Sequence, residues 1–147
     1  VVGQTATFAA IAFSVFAVAM TIGRIFGDYL TQKLGARQLL IFDSILAILG
    51  LSIALGFATV STTLIGFFLI GLGLSTVVPI VYSAAGNTEG VSPSVGIAMA
   101  TTVGYAGFFV GPPLIGFLAD SFGLRLGLVF PLALFVVMLF LIIKRIR

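Results

Sequence analysis

The sequence has no cysteine and no histidine. Those absences remove thiol nucleophiles, imidazole bases, disulfides and the usual zinc sites. Charge is scarce as well: of 147 residues only 7% are charged, seven basic and four acidic. A soluble domain carries about 25% charged residues, and a water-facing surface cannot be built from so few. No pair of buried acids is evident either. An intramembrane enzyme is therefore a distant reading, and no catalytic residue, cofactor or metal is expected. The net charge of +3 is not a nucleic-acid signature, because the basic residues sit at the ends of apolar segments.

What fills the chain is apolar: 61% of it is hydrophobic. Lipid is the solvent that tolerates this composition, and a spanning helix needs about 20 apolar residues. The fold class expected is all-α, a polytopic transmembrane bundle of about five helices. No charge occurs from Val1 to Gly23, which places a first helix, A, near 7–30. A short polar link with Lys33, Gly35 and Arg37 follows. The uncharged stretch from Ser44 to Thr88 is too long for one crossing and suits two. Its break is Ala58-Thr59-Val60-Ser61-Thr62-Thr63, rich in residues that cap a helix start. Helix B is thus expected near 38–57 and helix C near 62–85. Loop chemistry from Ala85 to Ser94 precedes helix D, near 94–119, and helix E, near 124–143. β-Barrel spans would alternate over about ten residues, and these runs are continuous.

The chain begins with Val, and Val1–Gln4 lacks the basic n-region of a signal peptide. It reads as a fragment whose true start was lost, with a natural end in Lys144, Arg145 and Arg147. The A–B link, the C–D link and the tail share one side. That side holds Arg24, Lys33, Arg37, Lys144, Arg145 and Arg147, against Arg125 alone on the other. The positive-inside rule puts the 30–38 link and the C-terminus in the cytoplasm, with the chain in the cell (inner) membrane.

Three constellations could carry function. Ala19, Gly23 and Gly27 on helix A, and Gly96, Ala100, Gly104, Gly107 and Gly111 on helix D, form small-residue stripes. Such stripes let helix backbones approach in lipid, either as plain packing or as a sliding interface. Helix D also carries Pro112 and Pro113 between Gly111 and Gly116, a bend that is either functional or only a structural kink. Pro79 and Pro131 interrupt helices C and E.

The second constellation is the charge cluster Arg24, Asp28, Lys33, Arg37 and Asp43. An acid inside the membrane is costly and needs a partner. Asp43 lies about 9 Å along helix B from Arg37, at 1.5 Å per residue, within reach of a snorkelling side chain. The cluster is either a charge-neutralised anchor or a breakable cytoplasmic gate. The third is a set of polar residues within apolar runs, namely Ser14, Thr21, Ser75, Thr76, Tyr82, Thr101, Thr102 and Tyr105. Helix E has none between Leu126 and Ile143. Helices A, C and D are thereby expected to line an aqueous path.

The chain resembles the major facilitator superfamily of secondary transporters over its whole length. The first carrier of the resemblance is Gly23-Arg24-Ile25-Phe26-Gly27-Asp28, continuing through Gln32-Lys33-Leu34-Gly35-Ala36-Arg37. It is similar to a cytoplasmic signature of Gly, three residues, Asp, a basic residue, any residue, Gly and two basic residues. Lys33, Gly35 and Arg37 match. Asp28, Gln32 and Ala36 stand where Gly, Asp and a basic residue belong. Gly107, Gly111, Pro112 and Gly116 resemble the family's Gly-Pro helix, and Gly86 to Gly96 is a third, less specific likeness. The resemblance implies either helices two to six or helices eight to twelve of a twelve-helix fold, of which eight to twelve is the reading preferred; it also implies alternating-access transport of a small solute and an N-terminal half elsewhere in the same chain as partner. The reading from another class is a non-transporting scaffold or accessory subunit.

Overall fold

The computed structural model describes residues 6–145, with side chains through Lys144. The described residues form six helices and no strand: α1 (Ala6–Leu34), α2 (Ala36–Phe57), α3 (Val60–Leu74), α4 (Val77–Gly86), α5 (Pro93–Phe122) and α6 (Leu124–Arg145). Five stretches are long and apolar enough to cross a membrane, with α3 and α4 together making the third. The all-α transmembrane reading of the sequence holds. Arg145 has its backbone described but not its side chain, and Val1–Gln4 and Arg147 lie outside the described residues.

Two expectations about boundaries change. Helix A runs a full turn further than expected, so Lys33 lies in the last turn of α1 and Arg37 in the first of α2. The link between them is Gly35 alone. Its φ of +83° is open to glycine and strained for other residues. Helix C is not continuous: Ser75 and Thr76 interrupt it. Pro79 lacks the amide that would bond the Ser75 carbonyl, and its ring crowds that turn. The Ser75 hydroxyl and amide both turn to the Leu72 carbonyl instead, at 2.6 and 3.2 Å. Pro112 and Pro113, by contrast, lie inside an uninterrupted α5. The α3 start is capped as the polar patch suggested: Thr59 and Thr62 form a reciprocal capping box.

The chain divides into two compact units. One contains α1, α2, α3 and the part of α6 from Pro131; the other, Val78–Phe130, contains most of α4, all of α5 and the start of α6. In the first unit α3 packs between α1 and α2 through backbone-to-backbone approach. On α2 the stripe Asp43, Ala47, Gly50 and Ala54 recurs every three to four residues and so lies on one face. A Cβ at Gly50 would meet the Gly66 carbonyl at 2.6 Å, and one at Gly73 would meet the Asp43 carbonyl at 2.5 Å and the Ala47 amide at 2.8 Å. On the other flank of α3 a Cβ at Gly71 would meet the Phe16 carbonyl at 2.5 Å and Ala19 at 3.0 Å. Small residues are the means of adhesion here, because lipid supplies no hydrophobic drive between helices.

In the second unit the α4–α5 hairpin is held at Gly96, whose Cα presses on the Ala85 carbonyl. Gly123 joins α5 to α6 with φ +89° and ψ 153°, nearly the values of Gly35, +83° and 150°.

Candidate functional site: a small-residue junction around Asp43

Asp43 is the acid most deeply placed in the chain. It begins about 10 Å into α2 by helical rise and is 3% exposed. An unpartnered carboxylate there would be very costly. The sequence suggests Arg37 as its partner. The structure gives a different one: Thr76 Oγ1 donates to Asp43 Oδ2 across the α2–α3 interface. Helix geometry explains the correction. Six residues at about 100° each turn Asp43 some 240° away from Arg37, so the two side chains leave α2 on different faces. Arg37 Nη2 instead donates to the Ile143 carbonyl at 3.2 Å, capping the last turn of α6. A cation at a helix C-terminus contributes roughly 0.3–1 kcal/mol.

Thr76 is packed on every side. Its methyl group faces Gly27, where a Cβ would lie 2.7 Å away, while its neighbour Ser75 presses on Gly23. The expected stripe on helix A is therefore in use: Ala19, Gly23 and Gly27 receive Gly71, Ser75 and Thr76 in register. Ser75 and Thr76, expected on an aqueous path, are 2% and 4% exposed. They are junction residues between helices and not an open lining. Small partners on α1 and α2 draw the break in the third span inward, and burial follows.

The remaining polar candidates stay outside the packed interior. Ser14, Thr21, Tyr82 and Tyr105 are exposed, and Thr101 is half-buried. Ser14, Thr21 and Thr101 each donate to the carbonyl four residues back, at 2.8 Å, the self-satisfied pattern of hydroxyls in helices. The charges beside the junction are also exposed. Among the described residues neither Arg24 nor Asp28 has an ion-pair partner, although they are four apart on α1. Lys33 reaches back to Tyr29, 3.4 Å from its hydroxyl and 5.6 Å from its ring centre. On α5, Gly107, Gly111 and Gly116 have open space where a side chain would go, and Pro112 and Pro113 are exposed. No group of three or more potential metal ligands occurs among the described residues.

Two signals were legible in the sequence but not read. The first is the α2 stripe that begins at Asp43, which meets Gly66 and Gly73, seven residues apart on α3. The second is Gly116, Asp120, Gly123 and Arg125, which fit Gly, three residues, Asp, two residues, Gly, one residue and a basic residue. The backbone repeats at both junctions. Gly35 donates to Thr31 and accepts from Leu39, at 2.9 and 3.1 Å, and Gly123 donates to Ala119 and accepts from Gly127 at the same two distances.

Comparison with known proteins agrees with this architecture. The family model described as Major Facilitator Superfamily matches residues 2–147. An uncharacterized MFS-type transporter of Yersinia pestis is 40% identical over 80% of this chain and 31% of its own length. Membrane protein MosC of Rhizobium meliloti is 39% identical over 83% of this chain and 30% of its own length. An uncharacterized transporter of Sinorhizobium fredii is 29% identical over 86% of this chain and 33% of its own length. The chain thus spans about a third of the curated relatives it matches. No solved structure matches it.

Proposed function

Since this chain belongs to the major facilitator superfamily, we propose that it works as part of a secondary transporter that moves a small solute across the cell (inner) membrane by alternating access. The observation that carries the reading is the family match over residues 2–147, borne by five membrane-spanning stretches. The glycine-lined contacts of α3 support it, because smooth small-residue interfaces suit helices that shift against one another. The N-terminal half of the same protein is the proposed partner. Its proposed docking place is α5, where Gly107, Gly111 and Gly116 have open space beside them.

The charged end of the first unit is the proposed cytoplasmic gate. It consists of Arg24, Asp28, Lys33 and Arg37 around the Gly35 joint. Asp43 does not belong with them, since it is held by Thr76. Tyr82, Thr101 and Tyr105 of the second unit are proposed to face the solute path, as are, separately, Ser14 and Thr21 of the first.

The test is solute counterflow with the full-length protein in proteoliposomes, over a panel of small anionic, neutral and cationic solutes. Saturable exchange of one class supports the reading. Correctly folded protein that exchanges none of them favours the non-transporting scaffold.

A further inference from the structure

Hydroxyls in this protein mostly serve their own helix. Ser14, Thr21, Thr31, Ser44, Thr101 and Thr102 all donate to the carbonyl four residues back. Thr76 departs from that pattern. Its hydroxyl crosses to Asp43 on α2, at the point where the third span is broken and Pro79 has removed a backbone donor. The N-terminal stretch of the first compact unit ends at Val77, one residue further on. Gly73 brings the α3 backbone against the Asp43 carbonyl, and Gly27 accepts the Thr76 methyl. Three helices therefore close on one hydrogen bond beside an interrupted helix.

We propose that the Asp43–Thr76 hydrogen bond is a latch. It fixes the last turn of α3 to α2, so that bending of the third span is confined to the residues after Thr76. The carboxylate is the suitable acceptor for this duty. A buried acceptor left without its donor is penalised, so the Asp43 oxygen holds the Thr76 hydroxyl firmly. Asp43 and Thr76 are thus positioning residues that set where a transport-linked bend occurs. That purpose rests on the transporter reading; the latch itself does not.

The experiment is hydrogen–deuterium exchange on the full-length protein in lipid nanodiscs, run beside solute counterflow. Thr76→Val removes the donor and keeps the shape. It should speed exchange across residues 72–76, the end of α3 that the latch holds, by about tenfold, while α5 exchanges as before. Thr76→Ser should behave like the wild type. Asp43→Asn keeps an uncharged acceptor and should give a smaller, several-fold increase over the same residues. This variant decides the matter if Thr76→Val fails to accumulate. Wild-type exchange in both Thr76→Val and Asp43→Asn overturns the latch, and so does an increase spread evenly over α1, α2 and α3. Faster exchange confined to 72–76, with no counterflow in any variant or in the wild type, leaves the latch standing and sinks the transporter reading.

Discussion

At the scale of single residues, glycine does most of the specifying, and two kinds of glycine separate cleanly. Gly35 and Gly123 are needed for their backbone: with φ of +83° and +89° they hold a conformation that side chains resist. Gly35→Ala and Gly123→Ala should each destabilise by about 1–3 kcal/mol, read as a lower thermal midpoint of the full-length protein in detergent. Gly56 is helical and has open space around it. Gly56→Ala should be neutral or stabilising, by up to about 1 kcal/mol. The other kind is needed for its missing side chain. Gly73→Ala drives a methyl group into the Asp43 carbonyl and the Ala47 amide, and backbone cannot step aside as a side chain can. A cost of about 1–3 kcal/mol is expected from such overpacking, whereas Gly107→Ala, with nothing near it, should leave this part of the fold intact. Residue chemistry in the sequence pointed to Asp43 as needing a partner, and it has one. It did not point to Thr76, because the two are 33 residues apart in sequence. Proximity along α2 made Arg37 the nearer choice, while helix rotation sends it elsewhere.

Among the elements, apolar run length was enough to place all five spans, since a bilayer dictates how long an uncharged helix must be. The interruption of the third span was not legible from proline alone. Pro112 and Pro113 sit in an unbroken α5, whereas Pro79 follows a break. The difference lies in what surrounds each. Ser75 keeps helical dihedrals, φ −64° and ψ −38°, but bonds back to Leu72, and Thr76 bonds across to Asp43, so the regular hydrogen-bond ladder is interrupted just before Pro79 removes a further donor. Pro79→Ala restores the missing donor and should let α3 and α4 close into a more regular helix. The measurement is hydrogen exchange at residues 75–80 in the full-length protein, which should slow. Unchanged exchange there would show that Ser75 and Thr76 make the break without the proline. Element boundaries were the least legible feature, as at helix A. Nothing in the composition of Thr31–Leu34 forbids another helical turn, and only the positive φ at Gly35 stops it.

For the molecule as a whole, the proposed topology and the proposed gate concern the same end of the first unit. Arg37 caps the C-terminal turn of α6, so the α1–α2 joint and the last turn of α6 lie together. Reporter fusions after Gly35 and after the tail should both read as cytoplasmic; a periplasmic signal from either overturns the topology. The proposed gate rests on the same end of the unit. Arg24, Asp28, Lys33 and Arg37 are exposed at this end, and Arg24 and Asp28 are without ion-pair partners among the described residues. They are free to pair with groups brought close in another conformation. Such pairs must be weak enough to break in every cycle, and exposed pairs are worth roughly 0.2–1 kcal/mol. Partial burial would strengthen the attraction, but desolvation would offset the gain. Asp28→Asn removes a charge without touching a packed surface, and Arg37→Ala removes the α6 cap along with a charge. Both should shift the population toward the cytoplasm-open state, seen as faster labelling of cysteines placed at Thr101 and Tyr105 by a reagent added from the cytoplasmic side. Asp28→Asn should leave protein levels unchanged, and Arg37→Ala should lower them only slightly. If labelling stays at the wild-type rate while protein levels collapse, these charges anchor the fold at the membrane face and do not gate it.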